Sequence, residues 1–215
     1  MNKEYNLTLI TPPVIEPLSL DEVKNYLRTD DIADTQEDAY ISSLITVARE
    51  WCEDYQHRAY ITQTWELALQ EFPFDNTDTL NDNEESDIIE IPKGNLQSIN
   101  SITYKDLYGN VKSLAENTDY IVSTRGIIGK ICPPYACVFP TVPLWPLDPI
   151  VINFTCGYGD DSSKIPKRIK QAMLLLISHW YDTRAVITDL RSVDVTKEIG
   201  FTVSALLSVD KIYKL

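Results

Sequence analysis

Residues Ile165–Arg184 read IPKRIKQAMLLLISHWYDTR, and this stretch decides the fold. Pro166 marks a helix start, because a proline in the first turn lacks only an N–H that would have no intrahelical partner. Ile169, Ala172, Met173, Leu176, Ile177 and Trp180 follow at the three-and-four spacing of one buried face. Leu174 and Leu175 lie off that stripe, so the helix is expected to be covered on more than one side, as a central helix or a subunit contact would be. A matching amphipathic helix lies more than a hundred residues earlier, with strand-like sequence between the two.

Upstream of this helix, PIVINFTCGYG from Pro149 closes a series of strand candidates. The series opens with ITQTWELALQEF from Ile61, where Trp65, Leu67 and Leu69 alternate with Glu66 and Gln70 as in a half-buried strand. Between them Ile88–Ile91, Gln97–Tyr104, Lys112–Leu114, Tyr120–Ser123 and Ile127–Cys132 read as strands. YKDLYGNVK carries a hairpin turn around Gly109 and Asn110. Prolines 133, 134, 140, 143, 146 and 149 are too many for a central strand, so this stretch is expected as an irregular arm or edge.

Two helices precede the strands. Ser19 and Glu22 have the spacing of a capping box, with Leu20, Val23 and Leu27 on one face and a stop near Arg28. Thr35 is the expected cap of the second helix, which carries Glu37 and Asp38 in its first turn. Ile41, Leu44, Ile45, Ala48, Trp51, Cys52 and Tyr55 repeat along its buried face. At the other end, a polar link through Gly200 leads to a short helix expected from about Thr202 to Tyr213. The fold class is therefore α+β: a small antiparallel helical bundle with an inserted antiparallel β module. The expected boundaries are 1–60 for the N-terminal helical part, 61–160 for the insertion and 161–215 for the C-terminal helical part. Because the helices flank the insertion, Gln56–Ile61 should lie close to Gly157–Ile165.

Composition narrows the function classes. The chain has 19 basic and 32 acidic residues, net −13, the wrong sign for a protein whose affinity rests on neutralising phosphates. The first reading of such a charge is solubility; it is also compatible with a surface that DNA passes without sticking. No run approaches the roughly eighteen apolar residues of a membrane span. The opening MNKEYNLTLITPP lacks a signal peptide's apolar core, so a soluble chain made and kept in the cytoplasm is expected, unless it leaves inside a particle. Cys52, Cys132, Cys137 and Cys156 offer no C-x-x-C pair, and only one of the two histidines, His57, five residues after Cys52, lies near any of them in sequence, while His179 is distant. No metal, cofactor or disulfide is expected. Asp54 with His57 and His179 with Asp182 share a spacing that can orient an imidazole, but no third group completes a triad, and no enzyme activity is expected. The acidic loop Asp75–Glu90 carries seven carboxylates without the glycine of a calcium loop and reads as a solvated connection. Trp51, Trp65 and Trp180 are in phase with apolar faces and are expected in the core. Trp145, in VPLWPLDP, belongs to no periodic element and is the best single candidate for an exposed anchor.

SLDEVKNYLRTD, DAYISSLITVAREWCEDY, TQTWELALQEFP, IPKGNLQSINSITYKDLYGN, VINFTCGYG and IPKRIKQAMLLLISHWYDTR, in this order, resemble the head–tail connector (adaptor) proteins of tailed bacteriophages, in their longer form with a β insertion. The likeness runs from about Leu7 to Tyr213 and departs at 76–87, at the proline-rich arm and at 186–200. It implies a structural virion protein of the neck, with no catalysis. Such proteins form a ring of about twelve copies under the portal protein. The ring extends the DNA channel without sequence-specific binding and docks the next neck, stopper or tail protein. Helices two and three, with Leu174 and Leu175, are the expected ring contact. Phe201, Leu206, Leu207, Ile212 and Tyr213 form an apolar terminal segment that in resembling connectors docks on the portal. The alternative is a β-module binder of a tail or baseplate, for carbohydrate or protein, with Trp145 as platform.

Overall fold

The computed structural model describes residues 5–29, 35–73, 87–183 and 200–213. The chain is α+β and divides into two compact units. One takes the described residues up to Pro12 with Thr62–Gly157; the other takes Pro13–Ile61 and Tyr158–Tyr213.

In the helical unit, α1 (Leu20–Leu27) starts with a complete capping box. Glu22 N–H donates to the Ser19 hydroxyl, and the Glu22 carboxylate accepts from Ser19 N–H. That backbone bond, with Lys170 nearby, holds the Glu22 pKa below the usual carboxylate range against the opposing effect of burial. α1 closes on Arg28 at φ 59°, with Thr29 N–H donating back to Lys24 O at 3.1 Å. α2 (Thr35–Gln56) closes the same way, with His57 at φ 56° and Arg58 N–H on Glu53 O at 3.0 Å. Both ends use the left-handed closure that glycine usually supplies, and the chain holds only 7 glycines.

α3 (Lys167–Asp182) begins one residue later than the proline implied. Pro166 stands at the N-cap of α3 with ψ 133°, extended rather than helical, directly after Ile165, which caps the preceding 3-10 turn (Ser162–Lys164). Ile41, Leu44, Ile45, Ala48 and Cys52 of α2 meet Ile169, Ala172, Met173, Leu176 and Ile177 of α3 in one core, joined by Val23 from α1. From Ala172 to Tyr181 every residue of α3 is buried or half-buried, as befits a central helix. Tyr158 N–H donates to Tyr60 O at 3.0 Å, so the expected approach of the two flanking segments is present. A fourth helix, α4, spans residues 200–208, starting earlier and ending earlier than expected. The chain leaves helical geometry after it because Ile212 N–H is engaged by Gln56 O at 3.0 Å.

The β unit holds a five-stranded antiparallel sheet in the order β1 (Tyr5–Thr11), β2 (Gln63–Leu69), β8 (Ile150–Cys156), β4 (Leu96–Lys105), β5 (Val111–Leu114). A three-stranded sheet follows the order β3 (Ile89–Glu90), β7 (Lys130–Cys132), β6 (Ile121–Ser123). Ile150, Ile152, Phe154 and Cys156 of β8 are buried on alternate positions and face Leu67 and Trp65 of β2 and Ile102 and Ile99 of β4. The opposite face is a polar row: Asn100 Nδ2 donates to Asn153 Oδ1 at 2.7 Å and to Thr155 Oγ1 at 3.0 Å. The expected hairpin joins β4 to β5 through Gly109 at φ 84°, and Asp106 accepts from the Tyr108 and Asn110 N–H groups at 3.0 Å each.

β1 is the strand that the sequence reading does not contain, since residues 1–60 were expected to be helical. Its apolar residues stay mostly exposed, so only pairing with β2, Leu7 opposite Leu67 and Leu9 opposite Trp65, identifies it. Trp51 also departs from expectation. It lies 39% exposed and stacked on Tyr55 with centroids 5.5 Å apart, because Cys52 takes the core-facing position beside it. Residues 75–86 of the acidic loop and most of the link 186–200 lie outside the described residues.

Candidate interaction surfaces

The groups that could carry chemistry act as structural parts. His57 holds the left-handed closure of α2. The His179 carbonyl accepts from Thr183 N–H at 3.0 Å and from its hydroxyl at 2.6 Å, closing α3. Among the described residues no three His, Cys, Asp or Glu side chains gather as a metal cluster. The four cysteines are not joined in disulfides. Burial, helped by the neighbouring Glu53 carboxylate, pushes the Cys52 thiol up to about 12, the opposite of a nucleophile's need. Among the described residues no helix is long and apolar enough to cross a membrane.

The helical unit contains a buried polar network that the sequence reading missed. Arg49 Nη1 meets Glu53 Oε2 at 2.9 Å and Arg49 Nε meets Glu16 Oε2 at 2.9 Å. Burial works against the Arg49 charge, but the two carboxylates outweigh it and leave its pKa raised. Glu53 also accepts from Tyr60 N–H at 2.7 Å, and the Tyr60 hydroxyl donates to Gln56 Oε1 at 2.7 Å. Gln56 then passes the network to the C-terminal segment, its Nε2 donating to Leu207 O at 2.6 Å.

That segment is docked on its own chain. Val203, Leu207 and Ile212 are buried in the helical unit. Arg58 and Arg168 both reach the Asp210 carboxylate, and Lys211 Nζ lies 3.9 Å from the Tyr55 ring centroid. Of the terminal residues singled out from sequence, Leu207 and Ile212 are therefore core, Leu206 is half-buried, and Phe201 and Tyr213 point outward at 77% and 70% exposure. Leu174 and Leu175 are half-buried against the same core, with Trp180 beside them. No single sequence signal separates these cases, because all of them are apolar residues on short helical repeats.

In the β unit, Trp145 is 41% exposed and one side of it is already used. Its backbone N–H donates to Lys105 O at 3.0 Å, and Lys105 Nζ stands 5.5 Å from the ring centroid. A Cβ at Gly109 would lie 3.7 Å from the indole, so the ring rests against the hairpin turn. Leu107, Tyr108, Val111 and Leu147 are exposed apolar residues on the hairpin and the arm. The arm is held from beneath by Phe139, which stacks on Phe72 with centroids 5.0 Å apart.

The candidate residues His57 and His179 serve as helix closures, and both units present apolar side chains at the surface. The model of the head completion protein family matches residues 16–189. The chain belongs to the head completion protein family. The match takes in α1 to α3 and all strands but β1, and the family is one of structural proteins rather than enzymes. Three solved structures share the fold of this head completion protein over nearly its whole length. A chain from the neck of an empty gene transfer agent (GTA) particle computed with C6 symmetry has a TM-score of 0.74 at 20% identity, covering 98% of this chain and 97% of that one. A chain from the virion of a native gene transfer agent particle has a TM-score of 0.74 at 20% identity, covering 97% and 96%. A third, from the neck of a native particle computed with C12 symmetry, has a TM-score of 0.68 at 18% identity, covering 98% and 97%. No curated protein matches the chain significantly.

Proposed function

We propose that this head completion protein is a neck component of a tailed phage or phage-like particle. It forms a ring beneath the portal, continues the DNA channel and offers a platform to the next neck or tail protein. The family match over residues 16–189 carries this reading. It is supported by the likeness to chains from gene transfer agent necks, some of which were computed with rotational symmetry. The net charge of −13 suits a wall that duplex DNA slides past, since a basic wall would hold the phosphates.

The ring contact is proposed on the helical unit, where Leu174 and Leu175 of α3 remain half-buried and Val47 and Trp51 of α2 are exposed. The outward-facing ends of the terminal segment, Phe201 and Tyr213, are proposed to meet the portal. Trp145 and the β4–β5 hairpin are proposed as the contact for the next protein in the neck. The experiment is electron microscopy of lysates from particles lacking this protein. Complete heads and complete tails that fail to join, with DNA lost from the heads, are the expected result. Intact tailed particles would remove the neck assignment and leave the Trp145 platform as a binder of tail or baseplate partners.

A further inference from the structure

We propose that neighbouring copies of this chain join through the two edges of the five-stranded sheet, β5 of one copy adding to β1 of the next. This rests on the ring reading above and supplies it with a second, independent surface. Among the described residues β1 pairs only with β2 and β5 only with β4. Each therefore leaves one row of N–H and C=O groups along its outer side, and only another strand matches such a row in full.

Natural sheets blunt open edges with lysine, proline or very short strands. β1 has no lysine and no proline over its 7 residues, and its one irregularity is a register shift against β2 between Leu9 and Thr11, which leaves Tyr5–Leu9 regular. Its sequence, YNLTLIT, carries no charge, and all but the half-buried Leu7 are exposed. Tyr5, Leu9 and Ile10 stand 40%, 42% and 48% exposed along it. β5, VKSL, has three exposed residues of its 4. Its one charge, Lys112, turns back over its own hairpin, with Nζ 3.8 Å from Asp106 Oδ2 and 6.0 Å from the Tyr104 ring centroid. The β5 edge is thus left without a charge aimed at an incoming strand.

The direction of the strands decides the occupant. The pairings β1–β2, β2–β8, β8–β4 and β4–β5 are all antiparallel, so four reversals leave β1 and β5 running the same way. A copy rotated about an axis along the strands sets its β1 parallel to its neighbour's β5. The two surfaces differ, which is the heterologous contact that a closed ring requires; β1 on β1 would stop at a pair. One such contact repeated around the ring satisfies both edges of every copy, whereas a strand from another protein would leave one edge open. Parallel pairing over four residues is weak, so the joint holds only among copies already gathered on a template.

The test supplies full-length variants to filled heads lacking this protein and scores rings on the heads by electron microscopy. Thr8→Glu places a charge mid-way along the β1 edge and Ser113→Lys places one on the β5 edge. Each is expected to lower the fraction of ringed heads about tenfold or more. Thr8→Glu combined with Ser113→Lys is expected to restore it, because each charge then faces its opposite across the joint. Single variants that assemble like wild type overturn the proposal while leaving the ring intact. Losses that the double variant does not rescue also overturn it, since the edges then meet something other than each other. If wild type itself forms no ring, the ring reading fails, and that outcome is distinct. Thermal unfolding of each soluble variant is measured alongside; should Thr8→Glu unfold the chain, Ser113→Lys on the opposite edge decides alone.

Discussion

Ser19 and Glu22 show how much a single residue pair settles locally. Their reciprocal hydrogen bonds need only a spacing of three and an extended cap residue, both visible in the sequence. The Glu22 carboxylate is held below its ordinary value of 4.5 by the Ser19 N–H, so the folded state favours the ionised form. Its contribution is fully present above the unfolded value and is lost as pH falls through the lower, folded one. Glu22→Gln is therefore expected to be less stable than wild type at neutral pH and to converge with it as pH falls through the lowered folded-state value, as read from denaturant midpoints along an acid series. A gap that stays constant would show that the carboxylate charge plays no part. Removing the other half of the box, Ser19→Ala, is expected to cost about 1 kcal/mol at neutral pH. His57 teaches the converse lesson. As an imidazole three residues from Asp54 it resembles a functional residue, and its backbone, at φ 56°, forms the left-handed closure of α2.

At the scale of elements, α2 and α3 were legible because each carries enough period to mark its buried face without help from the rest of the chain. What joins them to the segments around them was not legible, since Arg49, Glu53, Gln56 and Asp210 are ordinary polar letters until the fold buries them. Arg49 and Glu53 side chains are 8% and 7% exposed. Breaking a buried pair strands the remaining charge, so Arg49→Met is expected to cost about 3 kcal/mol in a denaturant titration. A loss below about 1 kcal/mol would mean that solvent screens the pair as it does at a surface. The same network ties the terminal segment down through Gln56 and the Leu207 carbonyl, which explains how a helix of residues 200–208, too short to persist alone, stays formed. β1 illustrates the limit from the other side. An edge strand with both faces largely exposed has no reason to alternate cleanly, and pairing with β2 is the only thing that makes it a strand.

For the whole molecule, the outward surfaces matter more than the cores. Leu175→Asp is expected to leave the isolated chain folded, by circular dichroism and thermal unfolding, while blocking its incorporation into heads. If the variant does not fold, Leu175 belongs to the core of the helical unit and the ring contact must lie elsewhere. The two units place their exposed apolar residues on different kinds of scaffold. In the helical unit Trp51 and Val47 lie on the long helix α2, while in the β unit Trp145 and Tyr108 lie on an arm and a hairpin braced by Phe139 and Asp106. Rigid presentation lowers the entropy lost on docking, which suits surfaces that must engage once and hold.

By itself the sequence determined the periodic elements, the capping box of α1, the hairpin at Gly109 and the α+β class, because each depends on residues close along the chain. Its ordered motifs also carried the resemblance to connectors, which membership of the head completion protein family upholds. Only the tertiary structure decided which apolar residues remain outside. It sent Leu207 and Ile212 inward and Trp51 outward, paired β1 with β2, and drew two arginines onto Asp210. Those outcomes depend on residues distant in sequence competing for the same buried volume and the same hydrogen-bonding groups, and no local pattern records who wins.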